Sequence, residues 1–190
     1  MSEIKLDVLC IGSIVRDGKK VVEAHSSSVL VRSGDMTIVV DTSSPERRDH
    51  IRYSLRDLKV EPKDVDAVVL THMHDDHTGN INLFPRARRI AHAGDSPPKG
   101  WEAIEEEMEI APGVRLVPTP GHSYGSLSVF VDADRRYVIA GDALPTIDNY
   151  MRMVPPGINY DPELATESIK RIVEYADVVV PGHGPPFSVR

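Results

Sequence analysis

The chain has 190 residues, 41% of them hydrophobic and 27% charged, with a single cysteine and a formal charge of −7. That length supports one sizeable core and is short for two, so a single domain over residues 1–190 is expected. The acidic balance argues against a broad electrostatic footprint for nucleic acid, and no apolar run approaches the ~20 residues of a membrane-spanning helix.

The N-terminus, MSEIKLDVLCIG, lacks the basic segment, apolar stretch and small-residue cleavage site of a signal peptide, so a cytoplasmic location is expected. Cys10 sits in an apolar alternation and has no second cysteine to pair with, which reads as a buried strand thiol. From residue 4 to 41 the pattern is strand, turn, strand, strand: IKLDVLCIGSIV, SSVLVRS and MTIVVD, with Gly34-Asp35 as the turn of a β-hairpin. Ser44-Pro45 opens a helix whose apolar face is Ile51, Leu55 and Leu58. Arg47 and Arg48 on that helix, and Arg86, Arg88 and Arg89 further on, read as solvated surface.

A strand, DAVVL, then runs directly into THMHDDHTGN at 71 to 80. The alternation resumes with GVRLVPTPG, SLSVFVD and RYVIAGD as strands. Residues 143 to 161 have no clean period and read as a loop lying over the site, with Tyr150, Met151, Met153 and Tyr160 as candidate walls of an apolar pocket or, equally, as a dimer contact or packing under the loop. Asp161-Pro162 starts a helix with Ala165, Ile169, Ile172, Val173 and Ala176 on its inner face, and DVVV closes the pattern as a strand. Strands in both halves with helices between them suggest layered α/β architecture, two mixed sheets facing each other with helices outside.

The histidine string carries the chemistry. His72 and His74, two residues apart in an extended segment, point to the same side and can grip one ion. Asp76 and His77 follow where the chain turns into a helix and aim elsewhere, which suits a second ion. Four ligands cannot complete two coordination spheres, and three further strand ends supply more: His122 in PTPGHSYGS, Asp142 in IAGDAL and His183 in VVPGHGPP, each beside glycines. Together these make the seven ligands of a two-ion N/O site, and His25, His50 and His92 are left for ordinary roles.

THMHDDHTGN, TPGHSYGSLS, AGDAL and VVPGHGPPF resemble, in that order, the successive motifs of the metallo-β-lactamase-fold hydrolase superfamily, and Asp41 in VVDTSS matches its first motif. The resemblance implies an αββα sandwich of two mixed β-sheets with helices on the outer faces. It also implies that His72, His74 and His122 hold one metal ion, that Asp76, His77 and His183 hold the other, that Asp142 bridges them, and that Asp41 orients the histidine loop through hydrogen bonds. The expected cofactor is two divalent ions, zinc first, with iron, manganese, cobalt or nickel as alternatives.

Two such ions, about 3.5–4 Å apart, share a hydroxide and polarise the substrate oxygen, so phosphodiester, phosphotriester, lactone and thioester bonds are all accessible. Asp76 is the candidate catalytic residue, orienting the hydroxide and passing its proton on. Antibiotic-hydrolysing members commonly replace His77 or Asp142, so β-lactam hydrolysis is not expected. Three other readings stay open: a mononuclear iron persulfide dioxygenase using His72, His122 and Asp142, a ribonuclease-type nucleic-acid processing enzyme, and a non-catalytic metal-stabilised interaction module. The expected partner is a small-molecule substrate; nucleic acid has weak support, no membrane is expected, and a homodimer is left open.

Overall fold

A computed structural model describes residues 3–18 and 20–189. The first half forms β1 (Lys5–Cys10), β2 (Ser13–Asp17), β3 (Lys20–His25), β4 (Ser28–Ser33), β5 (Met36–Val40), α1 (Arg48–Asp57), β6 (Ala67–Val69), the single-turn α2 (Asp75–Thr78), β7 (Arg88–His92) and β8 (Glu102–Ile104). The second forms β9 (Met108–Ala111), β10 (Val114–Pro118), β11 (Leu127–Asp132), β12 (Arg136–Gly141), α3 (Ile147–Arg152), α4 (Pro162–Tyr175), β13 (Val178–Pro181) and β14 (Phe187–Ser188).

Two six-stranded mixed sheets result, in the orders β1-β4-β5-β6-β7-β8 and β14-β13-β12-β11-β10-β9, while β2 and β3 make a separate two-stranded ribbon. The alternation of side chains along each strand decides which layer each residue joins. Val29, Val31, Ile38 and Val40 of the first sheet meet Leu116, Leu127, Val129 and Val131 of the second in the central core. Their neighbours Leu30 and Val39 point the other way, onto Ile51 and Leu55 of α1. Likewise Phe130 and Val138 turn outward onto Ile169 and Ile172 of α4. The layers are therefore helix, sheet, sheet, helix, the expected αββα sandwich.

Local chemistry fixes the ends of these elements. Gly34 at φ 59° closes the β4–β5 hairpin. Asp161 caps α4 by accepting from the backbone N–H groups of Glu163 and Leu164, with Pro162 in the first turn. Ser44 does not cap α1: its hydroxyl is bonded to His25 Nδ1, and the chain enters through a 3₁₀ turn, Pro45–Arg47, before α1 starts at Arg48. Cys10 is buried and free, as expected.

The 143 to 161 segment is not a plain loop. It contains α3, and Tyr150 turns inward, stacked on Phe187 with ring centroids 5.3 Å apart. Its hydroxyl donates to the Val189 carbonyl. Tyr150 therefore belongs to the core under α4 and is not a pocket wall. Met151 is exposed, and Tyr160 lies against Tyr124.

Candidate metal centre

The centre lies where strands β6, β10, β12 and β13, drawn from both sheets, run out into loops. Asp41, just after β5 and in the left-handed region at φ 56°, accepts from the Thr71 N–H and hydroxyl, each at 2.8 Å, and from His77 Nδ1 at 2.8 Å. One carboxylate thus ties the start of the histidine string to its α2 end, the orienting task expected for it. Gly141, at φ 50°, ends β12 where a Cβ would collide with the Thr71 hydroxyl. A Cβ on Gly182 would collide with the Asp142 carboxylate, so both positions require glycine for close approach.

Hydrogen bonds on the far side of each ring set which nitrogen faces inward. His122 Nδ1 donates to the Ile158 carbonyl at 2.7 Å, and His183 Nδ1 donates to the His25 carbonyl at 3.0 Å. His77 Nδ1 is engaged by Asp41. The Thr71 hydroxyl, having given its proton to Asp41, receives His72 Nδ1 at 3.2 Å. Four rings therefore turn Nε2 to the interior, and on each ring in its neutral form that nitrogen carries the lone pair.

Three groups of donor atoms converge there, each within 4.8 Å of one another: His72, His74 and His122; His72, His77 and Asp142; and Asp76, His77 and His183. His74 Nδ1 stands 3.0 Å from His72 Nε2 and 3.1 Å from His122 Nε2. A proton on His74 Nδ1 can be donated to only one of these neighbours, whereas a cation among the three would engage every lone pair. Asp142 spans the groups, with Oδ2 3.5 Å from His122 Nε2 and Oδ1 3.5 Å from His77 Nε2 and 3.1 Å from His183 Nε2. Asp76 Oδ2 lies 3.6 Å from His183 Nε2 and 3.8 Å from His77 Nε2. All seven candidate donors named from the sequence come together.

Electrostatics divides the cluster. Burial, then the neighbouring His77, holds His72 well below the usual imidazole range, and burial lowers His122. Burial also works against charge on His77 and His183, but Asp41 and Asp142 outweigh it at His77 and Asp142 outweighs it at His183, so both are raised. Asp142 is held well below the usual carboxylate range: burial opposes this, and His183 and His77 overcome it. His77 Nε2 and Asp142 Oδ1 are buried and make no hydrogen bond among the described residues. Two buried polar atoms without partners, beside five other N/O donors, fit divalent cations.

Asp95 was not read as a site residue from the sequence. Its carboxylate accepts from the Met73 N–H at 3.2 Å, the Ser123 hydroxyl at 2.9 Å and the Gly125 N–H at 2.7 Å, locking the loop of His72 and His74 to the loop of His122. It has a signal: AGD at 93 to 95 follows an apolar strand, as AGD at 140 to 142 does. Of the histidines left for ordinary roles, His25 bonds Ser44 and Glu23 through its ring, and His92 Nδ1 accepts from Gly94.

The model of the metallo-beta-lactamase superfamily matches residues 21–109 and 95–183. A probable metallo-hydrolase of Methanocaldococcus jannaschii is 35% identical over 186 residues, 96% of this chain and 88% of that protein. Metallo-beta-lactamase domain-containing protein 1 of Xenopus laevis is 35% identical over 90% of this chain and 76% of its own length. Among solved structures, Bacillus thuringiensis AiiA with N-decanoyl-L-homoserine bound at its active site superposes with a TM-score of 0.79 at 25% identity, covering 96% of this chain and 94% of that one. The αββα layering, the ordered strand-end donors and these matches across both halves lead to one conclusion: the chain belongs to the metallo-beta-lactamase superfamily.

Proposed function

We propose that the chain is a hydrolase of ester-type bonds that works with two divalent ions, zinc first among them. His72, His74 and His122 would hold one ion and Asp76, His77 and His183 the other, with Asp142 shared. The observation that carries this reading is the gathering of seven donors in three overlapping groups, two of whose atoms, His77 Nε2 and Asp142 Oδ1, are buried without a hydrogen bond among the described residues. When bound, such a pair supplies Lewis-acid polarisation of the ester oxygen and acidifies water enough to serve as nucleophile near neutral pH.

The residues of the chain do the rest. Asp41 fixes the tautomer of His77, and the Ile158 and His25 carbonyls fix those of His122 and His183, so the inward nitrogens are preorganised. Asp76 keeps 23% of its side chain exposed while His77 beside it has none. It can therefore take a proton from the attacking water and return it to the leaving group.

A lactone or other carboxylic ester is the first bond to test, because relatives at 32% identity over 66% of this chain are N-acyl homoserine lactonases. Thioesters, phosphodiesters and phosphotriesters complete the panel. The mononuclear iron reading uses only His72, His122 and Asp142; the second donor group, equally converged, favours two ions. Elemental analysis of protein purified without added metal should find two zinc-like ions per chain. One iron per chain with sulfur-dependent oxygen uptake, or a panel inert with zinc, manganese, cobalt and nickel each restored, would overturn the proposal.

A further inference from the structure

Between the β2–β3 ribbon and the 143 to 161 segment lies a cleft of ≈ 280 Å³. Both of its loop walls are tied to candidate ligands. The Pro145 carbonyl accepts from the His183 N–H at 2.7 Å, and Gly157 directly precedes Ile158, whose carbonyl holds His122. From the ribbon, Arg16 reaches across, its Nη1 3.9 Å from where a Cβ on Gly157 would stand. Arg152, the last residue of α3, lines the same cleft.

The guanidinium groups in this cleft lack partners. Among the described residues, Arg16, Arg86 and Arg152 are the arginines with no ion pair, hydrogen bond or ring contact, although acidic residues outnumber basic ones by 29 to 22. Two of those three line this cleft. Asp148 is the one carboxylate in its lining and leaves an excess of positive charge. The Asn149 amide is already spent on the Val154 and Pro155 carbonyls, which fixes the wall without competing for a ligand. Val154, Pro145 and Pro155 supply the apolar part of the wall beside Thr146, and both arginines are exposed, so an anion can reach them from solvent.

We propose that this cleft is a substrate subsite in which Arg16 and Arg152 bind an anionic group, so that the esters cleaved are small molecules carrying a carboxylate or phosphate near the scissile bond. A planar guanidinium matches the paired oxygens of either anion. At ≈ 280 Å³ the cleft is of a size for a small charged group with a few carbons. This inference rests on the hydrolase reading above.

The test uses the zinc-loaded protein and three phenyl esters of similar size: phenyl butyrate, monophenyl succinate and phenyl 3-phosphonopropionate. The anionic esters should exceed phenyl butyrate in kcat/KM by about tenfold at low salt, the advantage residing in KM. Arg16→Gln and Arg152→Gln should each cut that ratio several-fold, Arg16→Glu should invert it, and Arg86→Gln, outside the cleft, should leave it as it is. Calorimetric binding of succinate and 3-phosphonopropionate should weaken in parallel in the Arg16 and Arg152 variants, and the tighter of the two identifies the preferred anion. Turnover whose anionic-to-neutral ratio ignores Arg16 and Arg152 overturns the subsite and leaves the hydrolase standing. Absent turnover with Arg16-dependent binding of either anion keeps the subsite and removes the hydrolase reading; binding and turnover both indifferent to the two arginines remove the subsite.

Discussion

Asp41 and Asp95 place no atom among the converging donors, yet each carboxylate holds together two segments that do. Asp95 accepts three hydrogen bonds that join the Met73 backbone to the Ser123–Gly125 turn. Its replacement by alanine strands those donors and frees the loop of His72 and His74 from that of His122. Zinc affinity of Asp95→Ala, measured by competition with a chromophoric chelator, should fall about 10–100-fold, as for other outer carboxylates. Affinity at the wild-type level would show that the loops hold their positions without Asp95. The seven donors were legible because their residue types are rare together and sit at strand ends. Asp95 was not singled out: the AGD at 93 to 95 repeats the strand-end pattern of Asp142, but its task depends on two backbone N–H groups and a hydroxyl that only folding brings near. The Ile158 carbonyl is hidden more thoroughly, since any residue type offers the same oxygen.

Among the elements, those with a clean period were legible and the irregular ones were not. The hairpin at Gly34, α4 and the strand at DVVV followed from alternation and capping chemistry, although the two-residue β14, not that strand, ends the sheet. The strand Lys20–His25 is largely exposed on both faces, so it carries no buried stripe to read, and α3 is too short for one. Two predictions belong to the better-marked elements. Asp161→Ala removes the acceptor for two N–H groups at the start of α4 and should lower unfolding free energy by about 1 kcal/mol in urea titration. An unchanged midpoint would mean that Pro162 and packing alone hold that helix end. Between α4 and β13, Asp177 receives the Arg136 N–H at 3.0 Å and its guanidinium at 2.9 Å. These bonds, first from the side chain and then from the backbone, lower the carboxyl from 3.8 to about 2. A depressed carboxyl stabilises the fold above its unfolded value and loses that contribution as pH falls from 3.8 toward 2. The stability gap between the wild type and Asp177→Asn should therefore be full at pH 7 and shrink across that window. A gap that persists undiminished at pH 2 would contradict the assignment.

At the scale of the molecule, the centre is the place where the two sheets are joined by polar atoms. His72, His74, Asp76 and His77 hang from the end of β6 in one sheet, and His122, Asp142 and His183 from the ends of β10, β12 and β13 in the other. The central core couples the same sheets through apolar side chains, so the helix, sheet, sheet, helix order was readable from hydrophobic pattern alone. The cross-sheet meeting of donors was readable only by adding motifs from both halves. Binding that engages both sheets in the native state and neither in the unfolded chain must stabilise the whole fold. At free zinc a thousandfold above the dissociation constant, the gain is about 4 kcal/mol. For a chain of this length that is a rise in Tm of about 8–16 °C. Calorimetry with excess zinc against excess EDTA, at one protein concentration, should show a shift of that size, and Asp142→Asn should cut it sharply because it withdraws charge from the point where the groups meet. A shift below about 2 °C in the wild type corresponds to less than ~1 kcal/mol of coupling. That result would mean that the donors of the two sheets do not share a tightly held cation, and that the αββα core stands without one.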